Sequence, residues 1–232
     1  MSGSIAENLQ KVRQDIAGFA QKYQRDVNNV TLLAVSKTWP AEAVHEAWKE
    51  GQMAFGENYL QEALEKIGTL ESLPINWHFI GPIQSNKTRA IAEHFQWVHS
   101  VDREKIARRL SEKRPPELPP LKILLQVNLS GEASKSGVSP NALPELARSV
   151  AELPHLELRG LMSIPAPGND FEHQRQTFRR LAEARDNLLA MGLSSCQELS
   201  MGMSQDYEAA IAEGATIIRI GTAIFGRRPG RL

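Results

Sequence analysis

The sequence predicts a (β/α)8 barrel, the TIM-barrel fold, that forms one domain over residues 1–232 and carries an additional helix at its N-terminus. Three observations predict this fold. Apolar runs alternate with segments of helical spacing eight times, the runs are nearly continuous as in buried parallel strands, and 232 residues suffice for one such barrel. An open doubly wound sheet is the alternative, but the turn after the first run, SKTWPAE, lacks the Gly-rich pattern of that fold.

The N-terminal helix is predicted from one apolar stripe whose members are spaced four and three residues apart in alternation. The stripe consists of Ile5, Leu9, Val12, Ile16 and Phe19. Ser4 and Glu7 stand at the spacing of a capping box, in which each side chain accepts from the other residue's backbone N–H. We therefore expect the helix to begin directly after Ser4.

The remaining elements follow in strand–helix order. The predicted strands lie in Thr31–Lys37, Met53–Asn58, Asn76–Gly81, Trp97–Asp102, Lys122–Ser130, Glu157–Ile164, Cys196–Ser204 and Thr216–Gly226. The predicted helices lie in 40–51, 84–94, 103–113 and 140–152, and around Leu60–Ile67, Phe171–Leu181 and Tyr207–Gly214. Pro40 and Pro140 stand at the predicted start of their helices, where proline is tolerated.

Composition excludes several classes of protein. The chain has 27 basic and 27 acidic residues, and this zero net charge argues against a general nucleic-acid binder. Cys196 is the single cysteine, which excludes an internal disulfide and favours a reducing compartment. No apolar run approaches the roughly 18 residues of a membrane span, the N-terminus lacks a secretory signal, and the histidines show no metal-ligand spacing. We expect a cytoplasmic protein without a metal, a nucleic-acid partner or a membrane partner.

Lys37 is the first candidate site residue because it ends the first predicted strand. The functional groups of TIM barrels lie at the C-terminal ends of their strands. Partial burial there disfavours the charged ammonium and favours a neutral amine that can form a Schiff base with a carbonyl group. From position alone, a surface lysine that begins a loop is an equally good interpretation.

An anion site is predicted after the seventh and eighth strands, which end in SMGMS and RIGTAIFG. Loops at these positions bind phosphate in many TIM barrels. Gly202 and Gly221 allow close approach of the backbone, and Ser204 and Thr222 offer hydroxyls. Ser204 is also expected to cap a helix that begins at Gln205–Asp206. Each feature alone is explained by a cap or a turn, but their coincidence favours an anion site.

Arg219 is the third candidate because it lies between Ile218 and Ile220, in an apolar strand where an unpaired guanidinium is costly. It is expected either to pair with a strand-end acid such as Glu57 or to donate to a ring nitrogen of a cofactor. A reactive lysine, an anion site and a buried arginine together match pyridoxal 5'-phosphate. A sugar-phosphate barrel with an aldolase lysine is the alternative, although the strand ends offer few acids besides Glu57 and Asp102.

Several longer motifs carry a resemblance to a known family. The stretches LLAVSKTWP, FGENYLQE, WHFIGPIQSNK, SKSG, RGLMSIP, LSMGMSQDYEAAI and RIGTAIFG resemble the YggS/PROSC family, the pyridoxal phosphate homeostasis proteins, over nearly the whole chain. The resemblance implies a barrel like the N-terminal domain of bacterial alanine racemase. The cofactor-binding residues that it implies are Lys37 as the Schiff-base lysine, Ser204, Gly221 and Thr222 at the phosphate, Arg219 at the pyridine nitrogen, and Asn58 as a further pocket residue.

The resemblance implies a carrier that maintains vitamin B6 homeostasis without established turnover. An arginine at the pyridine nitrogen agrees with this role, because it keeps the ring unprotonated and therefore weak as an electron sink. A racemase-like enzyme is the alternative. It would need a second acid–base group. No second domain is expected to supply that group, and Tyr59 and Tyr207 are the candidates within the barrel. We therefore predict a protein without catalytic residues.

Three further expectations complete the sequence analysis. The protein is expected to be a monomer that makes transient contacts with the apo-enzymes that receive the cofactor. His78 is expected to be a hydrogen-bonded core residue rather than a site residue. Lys135, in the SKSG motif, is expected to be a solvated loop residue rather than a ligand of phosphate or of a second cofactor molecule.

Overall fold

The computed structural model of the chain describes residues 3–131, 135–166, 168 and 170–227. Eight parallel strands form a closed barrel in which each strand pairs with the next and the last pairs with the first. The strands are β1 (Thr31–Val35), β2 (Ala54–Glu57), β3 (Asn76–Phe79), β4 (Trp97–Val101), β5 (Leu121–Gln126), β6 (Leu156–Met162), β7 (Glu198–Ser200) and β8 (Ile217–Ile220). The predicted TIM barrel is confirmed.

Helices surround the barrel. Within the described residues they are α1 (Ile5–Lys22), α2 (Ala41–Lys49), α3 (Leu60–Thr69), α4 (Thr88–His94), α5 (Glu104–Lys113), α6 (Leu143–Ala151), α7 (Phe171–Ala190), α8 (Tyr207–Ala212) and α9 (Thr222–Phe225). The predicted capping box of α1 is confirmed, because the Glu7 N–H donates to Ser4 Oγ at 3.2 Å and the Ser4 N–H donates to Glu7 Oε2 at 2.9 Å. Within the described ranges, no helix is both long and apolar enough to cross a membrane.

Two predicted boundaries are wrong. The last apolar run was predicted as strand as far as Gly226, but β8 ends at Ile220 and α9 follows. The carbonyl of Gly221 accepts from the N–H groups of Ile224 and Phe225, so the chain turns into a helix while still apolar. Pro140 precedes α6 rather than beginning it, and Pro144 occupies the first turn instead.

Alternation along the strands separates two apolar cores. One lies inside the barrel and contains Leu33, Val35, Ala54, Ile80, Trp97, Leu124, Met162 and Ile217. The other lies between the strands and the helices and contains their strand neighbours, such as Ala34, Phe55 and Phe79. Because successive side chains face opposite sides, the alternation that directs Val35 inward also directs Lys37 inward and Ser36 outward.

Candidate functional site

A cavity of about 290 Å³ opens at the C-terminal ends of the strands. It is lined by Val35, Lys37, Asn58, Ile80, Ile164, Pro165, Gly168, Met203, Ser204, Gln205, Asp206, Arg219, Gly221 and Thr222. All six cofactor-binding residues predicted from the sequence are among them. The structure therefore brings these side chains to one place, while their roles toward a ligand stay predictions.

Lys37 is half-buried and enters the cavity from the turn between β1 and α2. Thr38, the next residue, has a positive φ of 68°, a conformation that costs energy for a side chain branched at Cβ. Its N–H donates to Glu62 Oε1 of α3 at 2.6 Å. The Ser36 N–H donates to the Gly56 carbonyl at 3.1 Å, which continues the pairing of β1 with β2. The backbone is thus held on both sides of Lys37.

A buried ionic cluster lies directly behind this turn, on the outer face of the barrel. Lys66 of α3, only 5% exposed in its side chain, donates to Glu57 Oε1 at 2.8 Å and to Glu62 Oε1 at 2.6 Å. It also donates to the Ser36 carbonyl at 2.8 Å. The Ser36 hydroxyl donates to the same Glu57 oxygen at 2.5 Å. Burial of Glu57 raises the pKa of its carboxyl group even though Lys66 and Ser36 oppose the shift.

Arg219 projects from β8 into the barrel and is 4% exposed. One terminal nitrogen donates to Ser200 Oγ at 2.8 Å and the other to the Ser163 carbonyl at 2.9 Å. The predicted alternative of an ion pair with Glu57 is wrong, because Glu57 faces outward from β2 and pairs with Lys66. Burial lowers the pKa of Arg219 to about 10, and only the nearby charge of Asp206 opposes this shift.

A chain of hydrogen bonds continues from Arg219 through the barrel interior. Ser200 Oγ lies 2.8 Å from His99 Nδ1, and His99 Nε2 lies 2.9 Å from His78 Nδ1. His78 stacks on Trp97 with ring centroids 5.3 Å apart. Burial lowers the pKa of His78 to about 3 and lowers that of His99 as well, so both rings are neutral. The prediction that His78 is a hydrogen-bonded core residue is confirmed.

The predicted anion site lies where β8 passes into α9. Gly221 stands directly before α9, whose first N–H groups have no acceptor within the helix. A Cβ atom at Gly221 would lie 3.2 Å from the Val35 carbonyl oxygen, so a side chain would crowd this wall of the cavity. Thr222 is exposed and its hydroxyl is at the cavity edge. Backbone N–H groups and a hydroxyl thus lie together at the cavity, a combination that suits an anion.

Two predictions about the loop after β7 are wrong. Ser204 does not cap the next helix, because α8 begins at Tyr207 with Asp206 at its N-cap position. Asp206 Oδ1 accepts from the Met203 N–H at 2.6 Å and forms the turn that contains Ser204. Gly202 does not line the cavity; its φ is 97°, and a Cβ atom there would lie 2.6 Å from Ala210 Cβ. The glycine is needed for packing against α8.

Asn58 follows β2 and is half-buried at the cavity wall. Its Oδ1 atom is buried and has no hydrogen-bond partner within the described part of the chain. A buried acceptor without a partner carries a free-energy cost that a bound ligand can remove. This orphaned atom is an independent sign that the cavity is built for a polar molecule.

The candidate acid–base residues lie away from the cavity. The Tyr207 hydroxyl donates to Asp15 of α1 at 2.9 Å, and burial raises its pKa above the usual range. Tyr59 is exposed before α3 and does not line the cavity. Glu57 pairs with Lys66, and Asp102 pairs with Arg103 at 2.6 Å. The aldolase alternative is weakened, because neither of its two acids lines the cavity.

A barrel with these features has known relatives. The family model described as "Alanine racemase, N-terminal domain" matches residues 5–229. The chain is 62% identical to the pyridoxal phosphate homeostasis protein of Pseudomonas aeruginosa, with 97% of this chain and 96% of the relative covered. It is 52% identical to the protein of the same name from Escherichia coli K12, with 97% of each covered. The chain belongs to the alanine racemase N-terminal domain family and, within it, to the pyridoxal phosphate homeostasis proteins.

Solved structures agree with this assignment. The structure of PipY from Synechococcus elongatus with PLP bound superposes with a TM-score of 0.84 at 37% identity, covering 96% of this chain and 100% of PipY. Alanine racemase from Corynebacterium glutamicum superposes with a TM-score of 0.69 at 18% identity. This chain covers 60% of that racemase, which shares the barrel fold.

Proposed function

We propose that this chain binds pyridoxal 5'-phosphate through Lys37 in the cavity at the C-terminal face, and that it holds and delivers the cofactor to maintain vitamin B6 homeostasis. The observation that carries the proposal is that Lys37, Arg219 and the Gly221–Thr222 backbone line one cavity. Relatives named for pyridoxal phosphate homeostasis match over nearly the whole length, and a PLP-bound PipY shares the fold.

The described residues fit the cofactor group by group. Lys37 supplies an amine for the aldehyde, and the N–H groups at Gly221–Thr222 with the hydroxyls of Ser204 and Thr222 suit a phosphate. Arg219 makes no ion pair with any described carboxylate, so its guanidinium suits a neutral acceptor such as an unprotonated ring nitrogen. When bound, the cofactor supplies an aldehyde that reacts reversibly with amines.

A carrier role is favoured over a racemase by the placement of the tyrosines. Racemisation requires an acid–base group on each side of the substrate, and neither Tyr59 nor Tyr207 lines the cavity. Ile164 and Met203 line the cavity and are 49% and 37% exposed, so the mouth presents apolar surface to a partner. We propose that recipient apo-enzymes make transient contact there, and that the chain acts as a cytoplasmic monomer.

Binding is tested by titrating the purified protein with pyridoxal 5'-phosphate and recording the visible spectrum. We expect saturable binding for the wild type and for Lys11→Ala, whose lysine is exposed on α1 and serves as the matched control. Lys37→Ala should lose the absorbance band of the covalently bound form. Equal bands for wild type and Lys37→Ala would contradict the proposal.

Delivery is tested separately by reactivating an apo-enzyme while a phosphatase destroys free cofactor. The loaded protein should restore activity under these conditions, whereas the same amount of free cofactor should not. Equal sensitivity to the phosphatase would contradict delivery by contact. If the loaded wild type converts an L-amino acid into its D-form and Lys37→Ala does not, the racemase would be favoured instead.

A further inference from the structure

Lys66 is a buried cation that the proposed cofactor site does not use directly. Its ammonium reaches three acceptors, the Ser36 carbonyl and one carboxylate oxygen each of Glu57 and Glu62, at 2.6–2.8 Å. Three donors matched to three acceptors hold this side chain in one position. The lysine lies on α3, so the cluster ties a surrounding helix to the turn that follows β1.

The contacts of this cluster fall on both peptide groups that flank Lys37. The Ser36 carbonyl belongs to the peptide that precedes Lys37, and Lys66 holds it. The Thr38 N–H belongs to the peptide that follows Lys37, and Glu62 holds it at 2.6 Å. Lys66 and Glu62 are themselves paired at 2.6 Å. The backbone at Lys37 is therefore bracketed by one ion pair.

These contacts, which we call the bracket, hold Thr38 in a strained backbone conformation. Thr38 has a φ of 68°, and its buried hydroxyl has no hydrogen-bond partner among the described residues. A residue with this conformation relaxes to a more favourable one unless its surroundings hold it. Relaxation at Thr38 would rotate the adjoining peptide and change the direction in which Lys37 leaves the backbone.

We propose that Lys66, acting through Glu57 and Glu62, is a positioning residue that fixes the backbone of the Ser36–Thr38 turn so that the Lys37 amine is held toward the cavity. This inference rests on the proposed cofactor binding by Lys37 and adds a residue that does not line that cavity. Bond formation with a bound aldehyde requires the amine within a narrow range of distance and angle. The positioning therefore sets affinity for the cofactor.

The first readout needs no cofactor. Amide hydrogen exchange at Thr38 is measured in the wild type and in the double variant Lys66→Met/Glu57→Gln, in which no buried carboxylate is left without its cation. Loss of the bracket should speed exchange at Thr38 by at least about tenfold. Glu62→Gln keeps an oxygen acceptor for the Thr38 N–H, so it should exchange at nearly the wild-type rate.

The second readout is the affinity for pyridoxal 5'-phosphate, followed by its visible spectrum. The double variant should bind at least about tenfold more weakly, whereas the single variant Glu62→Gln should retain most of the wild-type affinity. Arg114→Met is the matched control, because Arg114 is equally buried and holds the Ala92, Phe95 and Pro119 carbonyls before β5. It should lower stability without changing affinity.

These measurements separate the possible failures. Wild-type exchange at Thr38 together with wild-type affinity in the double variant would overturn the positioning role, and so would an equal loss of affinity in Arg114→Met. A wild type that binds no cofactor would overturn the proposed function, whereas the exchange at Thr38 would still decide whether the bracket holds the turn. If the double variant does not fold, Glu62→Ala removes the Thr38 acceptor from a half-exposed position and gives the same two readouts.

Discussion

Two buried polar networks lie on opposite faces of the barrel wall, and they differ in how their cations are compensated. Outside the wall, Lys66 is paired with the carboxylates of Glu57 and Glu62. Inside the wall, Arg219 donates to a hydroxyl and a carbonyl and makes no ion pair with a described carboxylate, although the charge of Asp206 lies nearby. The hydrogen-bond chain beyond Arg219 contains two neutral histidines. The outer network pairs its cation with carboxylates, although Glu57 Oε2 has no hydrogen-bond partner among the described residues. The inner network leaves its cation without an ion pair among those residues, so this buried charge is available to a ligand.

The difference has an energetic consequence. A buried charge is costly unless it is paired, and removing one partner of a buried pair leaves the other uncompensated. Removing Arg219 breaks no ion pair among the described residues, although the Asp206 carboxylate loses the attraction of a nearby positive charge. We therefore expect substitutions in the outer network to act mainly on stability, and substitutions at Arg219 to act mainly on ligand binding.

The largest effect on stability is expected for Lys66→Met. Because the 0% exposed carboxylate of Glu57 loses its cation, the free energy of unfolding should fall by about 3–5 kcal/mol. Urea unfolding at neutral pH measures it. The loss should be clearly smaller when Lys66→Met is made in a Glu57→Gln background. A loss equal in both backgrounds would mean that the unpaired charge is not its cause.

The buried histidines of the inner network should make the free energy of unfolding fall at acidic pH. The pKa of His78 is about 3 in the folded protein and 6.5 ordinarily, so the unfolded chain binds a proton first as the pH falls. Stability is therefore lost as the pH falls from 6.5 toward 3, and His78 alone accounts for about 2 kcal/mol between neutral pH and about pH 5. His78→Gln should lack this share of the loss and keep the share due to His99, whose pKa is also lowered by burial. Urea unfolding at the two pH values checks it, with His94→Gln, exposed on α4, as the control.

Arg219→Met removes the cation of the inner network. The free energy of unfolding should change by only about 1 kcal/mol, because the losses are two hydrogen bonds to neutral groups and the attraction of the Asp206 charge, and no ion pair with a described carboxylate is broken. The affinity for pyridoxal 5'-phosphate should fall by about tenfold or more, since a charge-assisted hydrogen bond to the ligand is removed. A large loss of stability with unchanged affinity would reverse the roles assigned to the two networks.

The smallest effect is the pH trend of Glu57→Gln. Burial raises the pKa of Glu57 in the folded protein above its usual 4.5. The protonated carboxyl group therefore contributes fully to stability below about pH 4.5, and this contribution is lost as the pH rises through the pKa of the folded state. The wild type should lose stability relative to Glu57→Gln between about pH 4 and about pH 7. Glu65→Gln, exposed on the same helix, gives the reference profile. The opposite trend would indicate that Lys66 outweighs burial.

The barrel was predictable because its strands and helices repeat with clear periodicity, and the cavity residues because strand ends converge in this fold. The proposed ion pair between Arg219 and Glu57 could have been excluded from the sequence. Alternation along β2 places Ala54 inside and Glu57 outside, so Glu57 was never on the face of Arg219. The helix α9 was hidden in an apolar run, since periodicity does not distinguish a short buried helix from a strand.

The role of Lys66 could not be predicted in the same way. Lys66 and Glu62 are four residues apart on a helix, a spacing that ordinarily indicates an exposed pair. Only the packing of α3 against the β1–α2 turn buries them, and that packing depends on residues far apart in the sequence. The same holds for the bonds of Ser200 and His99, which join β7 to β4.

Lys37 is proposed to carry the cofactor in the cavity that it shares with Arg219. The most direct test is to load the protein with pyridoxal 5'-phosphate, reduce it with borohydride and map the modified peptide by mass spectrometry. We predict that a substoichiometric load modifies Lys37, and that Arg219→Met lowers the yield at this residue. Modification spread over several exposed lysines, or placed on another lysine with Lys37 unmodified, would contradict the account.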